Sequence, residues 1–331
     1  MKRFALVAAL LPVAFMFLVG CAQSQTASAA VGSEDDSALR VVATIFPQYD
    51  FVRQIAGDRV ELSMLISPGA ESHGFEPTAR DIITINDADL FIYIGGHGDT
   101  WVDRILASLD RADLRSVALL DLVEPVIEEL VEGMERAHHH DHGHDHDHDH
   151  HHDHEPHYDE HVWTCPRNAI LIVYALTDVL VELDPANAEF FIENATAFVE
   201  ELQEIDNAFM DVVGSGVRNT LIFGDRFPFR YFTDTYGLTY FAAFTGCSAE
   251  TQASPATIAF LIEKVREENI PVVLHVELSN LLIANVIAEA TGVRLLEMHS
   301  LHNVSHGDFV AGVTYLDIMR RNVEALREAL N

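Results

Sequence analysis

The sequence predicts an α/β protein built as two small parallel-sheet lobes joined by a long rigid α-helix. Three observations predict it. From Leu39 onward, short apolar runs rich in valine and isoleucine alternate with helix-length amphipathic stretches, the pattern of parallel strands with crossover helices. That alternation occurs twice, and between its two halves an apolar stripe at spacings of three and four runs from Pro185 to about Val213. A chain of 331 residues with 49% hydrophobic content can bury one large core or two ordinary ones, and its length favours two lobes.

The first twenty-one residues, MKRFALVAALLPVAFMFLVGC, read as an export signal with a basic start and an apolar run too short for a retained span. Its ending LVGC resembles a bacterial lipobox, which makes Cys21 the expected lipidation site; the alternative is ordinary cleavage, with Cys21 incidental. Residues 22–38 are small and polar without hydrophobic periodicity, as in a tether.

The N-terminal lobe, 39–184, is expected to hold strands at 40–45, 59–66, 89–95 and 116–122. Helices are expected near 47–56, 77–87 and 99–109, Gly57 closing the first and Pro77 opening the second. A low-complexity insert occupies 124–160. A helix follows it and ends at Asp184-Pro185, and the linking segment 185–216 comes next, closed by Gly214 and Gly216. Phe190, Phe191, Ala195, Phe198, Val199, Leu202, Ile205 and Phe209 form its stripe, and a helix of this length, roughly 40 Å, can brace two lobes. The C-terminal lobe, 217–331, repeats the alternation with strands at 219–224, 238–244, 271–277 and 293–299. Its helices are expected near 227–236, 255–269, 280–291 and 308–330. Each lobe is thus a small Rossmann-like sheet, and the lobes share an element order without a detectable sequence repeat.

The insert is the most unusual stretch. Thirteen of nineteen histidines fall between His138 and His161, mostly alternating with aspartate, and imidazole and carboxylate are the donors that borderline divalent metals prefer. A stretch whose apolar residues between Ala137 and Val162 are limited to Pro156 and Tyr158 cannot bury a core that would fix ligand geometry. His138, His139, His140, His142, His144, His146, His148, His150, His151, His152, His154 and His157 are therefore expected to collect metal weakly. The formal charge of −32, more negative still once Lys2 and Arg3 leave, favours cations and disfavours nucleic acid as a partner.

In open parallel sheets, ligands bind beyond the carboxyl ends of the strands. Just past expected strand ends lie His73, His97, Asp225, Glu277, His299 and His302, and His161 opens the helix after the insert. Donors contributed by both lobes place a metal in the interlobe cleft. His97 and His302 read as loop or supporting residues, and Glu277 and Asp225 fit helix caps as well as ligands. Cys165 and Cys247 leave their pairing open. Nothing resembling HExxH, GxSxG or a nucleotide-binding glycine loop appears, so no enzymatic signature is present.

SHGFEPTARDI looks like a PHxFEPT segment and HVWTCPRNA like an HVWLDPxNA segment, with a histidine-aspartate loop between them. FRYFTDTYGL and GVTYLDIMRRNVEAL add to the likeness. Over about 39–331 the chain resembles the zinc-binding solute receptors of bacterial ABC transporters. The resemblance implies a lipid-anchored extracytoplasmic receptor delivering Zn2+ to a membrane permease with its ATPase, periplasmic if the signal is cleaved without lipidation. It implies His73 and His161 as the first two metal ligands. Where the family has a third histidine, this chain offers Asp225 one residue off, and where the family has a late aspartate it offers His299, with Glu277 matching a glutamate near the metal. Three imidazoles and one carboxylate suit tetrahedral zinc. The alternatives are the same architecture selective for manganese or iron, and a metal-buffering lipoprotein that works through the insert.

Overall fold

The computed structural model describes residues 38–71, 75–134, 157–248 and 252–331. Residues 38–331 pack as one compact unit. The first lobe holds four parallel strands, β1 (Leu39–Ala43), β2 (Val60–Met64), β3 (Leu90–Tyr93) and β4 (Arg115–Ala118), in the order β2-β1-β3-β4. The second holds β5 (Thr220–Phe227), β6 (Thr239–Thr245), β7 (Val272–His275) and β8 (Arg294–Glu297), in the order β6-β5-β7-β8. The two sheets therefore share one topology, and each reverses its winding between its first and third strands, where a crevice opens at the carboxyl ends.

The helices are α1 (Phe46–Ala56), α2 (Ala79–Asn86), α3 (Thr100–Ser108), α4 (Pro166–Leu183), α5 (Ala188–Ser215), α6 (Arg230–Tyr236), α7 (Pro255–Glu267), α8 (Leu282–Thr291), α9 (His306–Val310) and α10 (Tyr315–Leu330). Gly57 closes α1 at φ 56, as expected of a residue without a Cβ. The second helix begins later than Pro77 suggests. Thr78 caps it in a reciprocal box with Asp81, a stronger start signal than the preceding proline. The expected strand at 116–122 ends early in a 3-10 turn at Leu119–Leu122. The expected last helix divides in two, because Gly312 turns at φ 74 and Thr314 with Asp317 opens a new capping box.

The linking helix α5 is 28 residues long, and it buries Phe191, Ala195, Phe198, Leu202, Ile205, Phe209 and Val212 along one side. One hydrophobic core runs from Val41 and Phe51 of the first lobe through α4, α5 and α10 to Phe223 and Leu274 of the second. A smaller cluster lies on the outer face of each sheet. A continuous core of this kind holds the two lobes as a brace, since close-packed interiors resist deformation. Among the described residues no helix is long and apolar enough to cross a membrane. Both described cysteines are free: Cys165 is buried and Cys247 half-buried.

Candidate metal centre

The two crevices face a cleft of about 390 Å³ lined by Glu71, His161, Arg226, Glu277, Ser300 and His302, among others. His161 arrives from the segment that follows the insert. It is 1% exposed and sits at the start of a 3-10 turn, Val162–Thr164. Its backbone N–H donates to Asp159 Oδ1 at 2.8 Å, and its ring Nδ1 lies 3.1 Å from the same oxygen. A carboxylate can only accept, so Nδ1 carries the proton and Nε2 is the nitrogen with a lone pair to offer an ion. Burial pushes the His161 pKa down, but the Asp159 carboxylate outweighs it and the net direction is up.

The neighbouring Glu160 fastens this segment to the first lobe. Its carboxylate accepts the Gly98 N–H at 2.8 Å, and burial pushes its pKa up. A Cβ at Gly96 would stand 2.5 Å from Glu160 Oε1, and one at Gly98 would stand 2.6 Å from Oε2. The glycines of IYIGGHGDT thus make room for a carboxylate. The same loop stacks His97 on His157, the ring centroids 4.1 Å apart.

The second lobe contributes His302. Its ring meets His161 edge-to-face with centroids 5.3 Å apart, a spacing that lets both imidazoles reach one ion through bonds of ~2.0–2.1 Å. Glu277 shapes its loop: the carboxylate accepts from Ser300 N at 2.6 Å, Ser300 Oγ at 2.6 Å and His302 N at 3.1 Å. Glu277 therefore caps this turn and does not cap the helix that follows it in sequence. Leu278 and Leu301 adopt φ 56 and 63, a left-handed conformation costly for branched side chains. The Glu277 hydrogen bonds hold that strained turn in place.

His299, expected as the third nitrogen donor, lies behind the cleft wall. Its backbone is clamped to Asn322, with N to Oδ1 at 2.9 Å and Nδ2 to O at 2.8 Å. Its Nδ1 accepts the Leu301 N–H at 2.9 Å. The same Nδ1 lies 3.5 Å from Glu277 Oε2, and His299 is not among the described residues that line the cleft. The sharp turn at Leu301 brings His302, expected as a supporting residue, onto the wall instead.

Asp225 falls within β5, not beyond it, because the register slips between Phe223 and Arg226. Its Oδ1 accepts the Arg226 N–H at 2.9 Å, and its Oδ2 is buried without a protein partner. It does not cap α6, which starts at Arg230 with Phe229 as its cap residue. Arg226 itself lines the cleft and pairs with Glu71 Oε2 at 3.3 Å. Cys247 lies close by. Burial, with Asp159, Glu160 and Glu128 adding to it, pushes its thiol well above the ordinary range.

His73, Cys21 and the insert histidines from His138 to His154 lie outside the described residues. Among the described residues no group of three or more His, Cys, Asp or Glu side chains is placed to hold a metal ion. The ends of the insert are pinned near the cleft. Glu128 N donates to His157 O and Asp159 N to Val126 O, both at 2.8 Å, around an antiparallel bridge between Ile127 and Tyr158.

Comparison with known proteins gives this arrangement a family. Residues 41–329 match the family described as zinc-uptake complex component A, periplasmic. The high-affinity zinc uptake system protein ZnuA of Bacillus subtilis is 31% identical over 319 residues, covering 96% of this chain and 94% of that protein. The zinc-binding lipoprotein AdcA of Streptococcus pneumoniae R6 is 31% identical over 330 residues, 99% of this chain, and the chain spans 61% of the AdcA length. Among solved structures, the Zn(II)-bound ZnuA-like domain of S. pneumoniae AdcA superposes with a TM-score of 0.70 at 28% identity, covering 89% of this chain and 99% of that domain. The metal-dependent lipoprotein YcdH of B. subtilis gives 0.72 at 26% identity, covering 88% and 100%. With nearly all of residues 39–331 matched and both lobes in register, the chain belongs to the ZnuA family of periplasmic zinc-uptake components.

Proposed function

We propose that this chain is an extracytoplasmic receptor that captures Zn2+ in its interlobe cleft and delivers it to the permease of an ABC transporter driven by a cytoplasmic ATPase. In this reading residues 1–21 are the export signal, Cys21 carries the lipid anchor and 22–38 form the tether. The observation that carries it is the pairing of His161 and His302 at the cleft, one imidazole from each side of the lobe junction, with Asp159 fixing the tautomer of the first. His73, which lies in the matched PHxFEPT-like segment, supplies a further nitrogen. Three imidazoles favour zinc over manganese, which takes more oxygen donors.

The insert is the collector. Its ends are tied beside His161, so an ion held there weakly is kept at high effective concentration near the cleft. Replacing the histidines from His138 to His154 by serine keeps the loop length and removes its donors. Titration of that variant with zinc against a chelating competitor is expected to show one tight ion retained and the weaker ions gone. Loss of the tight ion would make the insert itself the site and favour the metal-buffer reading.

A further inference from the structure

The root of the insert follows β4 of the first lobe in sequence, yet it is fastened to the second lobe. Val126 N–H donates to Tyr231 Oη at 3.2 Å, the Glu128 carboxylate accepts the Cys247 N–H at 3.1 Å, and Glu129 pairs with Arg230 at 3.0 Å. The Glu129 side chain is 53% exposed, so that ion pair contributes little. Tyr231 is buried, and its contact counts for more.

Tyr231 uses its hydroxyl twice. A backbone N–H can only donate and a carbonyl can only accept, so the oxygen accepts from Val126 while the proton goes to Asp159 O at 2.7 Å. Asp159 N–H donates in turn to Val126 O at 2.8 Å. Both peptide groups that flank the Asp159 Cα are therefore held, and because each is planar the direction of the Cβ is held with them. The backbone thus aims the Asp159 carboxylate at His161 Nδ1, 3.1 Å away.

The second lobe also backs the ring itself. A Cβ at Gly246 would stand 3.0 Å from His161 Cε1 and Nδ1, so bare backbone there leaves room for the imidazole beside Asp159. A metal-binding histidine depends on the carboxylate behind it, which sets its tautomer and ring orientation. Here that carboxylate depends in turn on one phenolic hydroxyl of α6.

We infer that Tyr231 is a positioning residue of the metal centre: by its hydroxyl the second lobe holds Asp159 and, through it, the His161 ring in the ligating orientation. The inference rests on the zinc reading above and adds to it a residue that touches no ion. A phenylalanine would fill the same space, so the hydroxyl alone carries the role.

The test is zinc affinity of the full chain, measured by competition with a chelator, for wild type, Tyr231→Phe, Tyr236→Phe, Asp159→Ala and the double variant at Asp159 and Tyr231. Tyr236 lies on the same helix and donates to Asp206 Oδ1 at 2.6 Å, so Tyr236→Phe also loses a buried phenol hydrogen bond, away from the insert root. Tyr231→Phe is expected to weaken the tight site about tenfold, with Tyr236→Phe within about twofold of wild type. In the Asp159→Ala background Tyr231→Phe is expected to add less than about twofold, because its target is gone. Nitrogen-15 spectra of the histidine rings, taken without zinc and with the insert histidines replaced by serine, are expected to show the His161 proton on Nδ1. In Tyr231→Phe that proton is expected to be shared between the two ring nitrogens. Wild-type affinity in Tyr231→Phe overturns the inference. An equal loss in Tyr236→Phe, an undiminished loss in the Asp159→Ala background or an unshifted His161 proton also overturns it, since each marks a general loosening of the fold. Absence of any tight zinc site in wild type overturns the zinc reading and this inference with it.

Discussion

His161→Ala is expected to weaken the tight zinc site at least tenfold, about 1.4 kcal/mol, with little loss of the weaker ions bound by the insert. The ring is nearly fully buried and oriented by Asp159 at 3.1 Å, so its lone pair is delivered to the cleft at little entropic cost. Removing it leaves an ion with one donor fewer and an open face. His73→Ala is expected to act similarly, through the matched segment that carries it. Calorimetry with a zinc-buffering competitor separates the tight ion from the weak ones. Unchanged affinity in both variants would show that the first-lobe half of the site has been misplaced.

The second large effect is on the fold. Trp163 is 0% exposed, and its Nε1 donates to Ser300 O at 2.8 Å while its own carbonyl accepts from Tyr315 Oη at 2.6 Å. It therefore ties the segment after the insert to the His302 loop and to α10. Trp163→Ala is expected to destabilise the zinc-free protein by about 3–5 kcal/mol, as large core truncations do, and to leave the Ser300 carbonyl without its donor. Urea denaturation followed by circular dichroism measures this, and a loss below about 1 kcal/mol would mean that the cavity refills or that the two regions are not coupled through this ring. Because Ser300 neighbours the turn that carries His302, zinc affinity in the same variant is expected to fall as well.

Element order, lobe count and the long helix were legible because they rest on periodicity, and periodicity survives any detail of packing. The stripe from Phe191 to Phe209 shows this, since its spacing alone placed one face against the core. The place of His161 at the cleft was legible from its motif and its position after a coreless insert. That His302 and not His299 lines the cleft was not, because it depends on one residue, Leu301, adopting φ 63. That conformation is imposed by the Glu277 hydrogen bonds, and a leucine gives no local sign of it. Asp225 was misjudged as lying beyond its strand because the register slips between Phe223 and Arg226, next to Gly224, where Ala284 packs so closely that its Cα would stand 2.5 Å from a Cβ. The Glu71–Arg226 pair joins residues 155 apart in sequence. Only the packing of the two lobes brings them together.

Crystals of the chain soaked in zinc and measured at the zinc absorption edge test the central claim most directly. The account predicts one strong anomalous peak in the cleft, within ~2.0–2.2 Å of His161 Nε2 and a His302 ring nitrogen. It predicts the Asp159 contact to His161 Nδ1 intact and no sulfur in the coordination sphere. A strongest peak on the insert histidines, on Cys247, or at His299 with His302 turned away would contradict it.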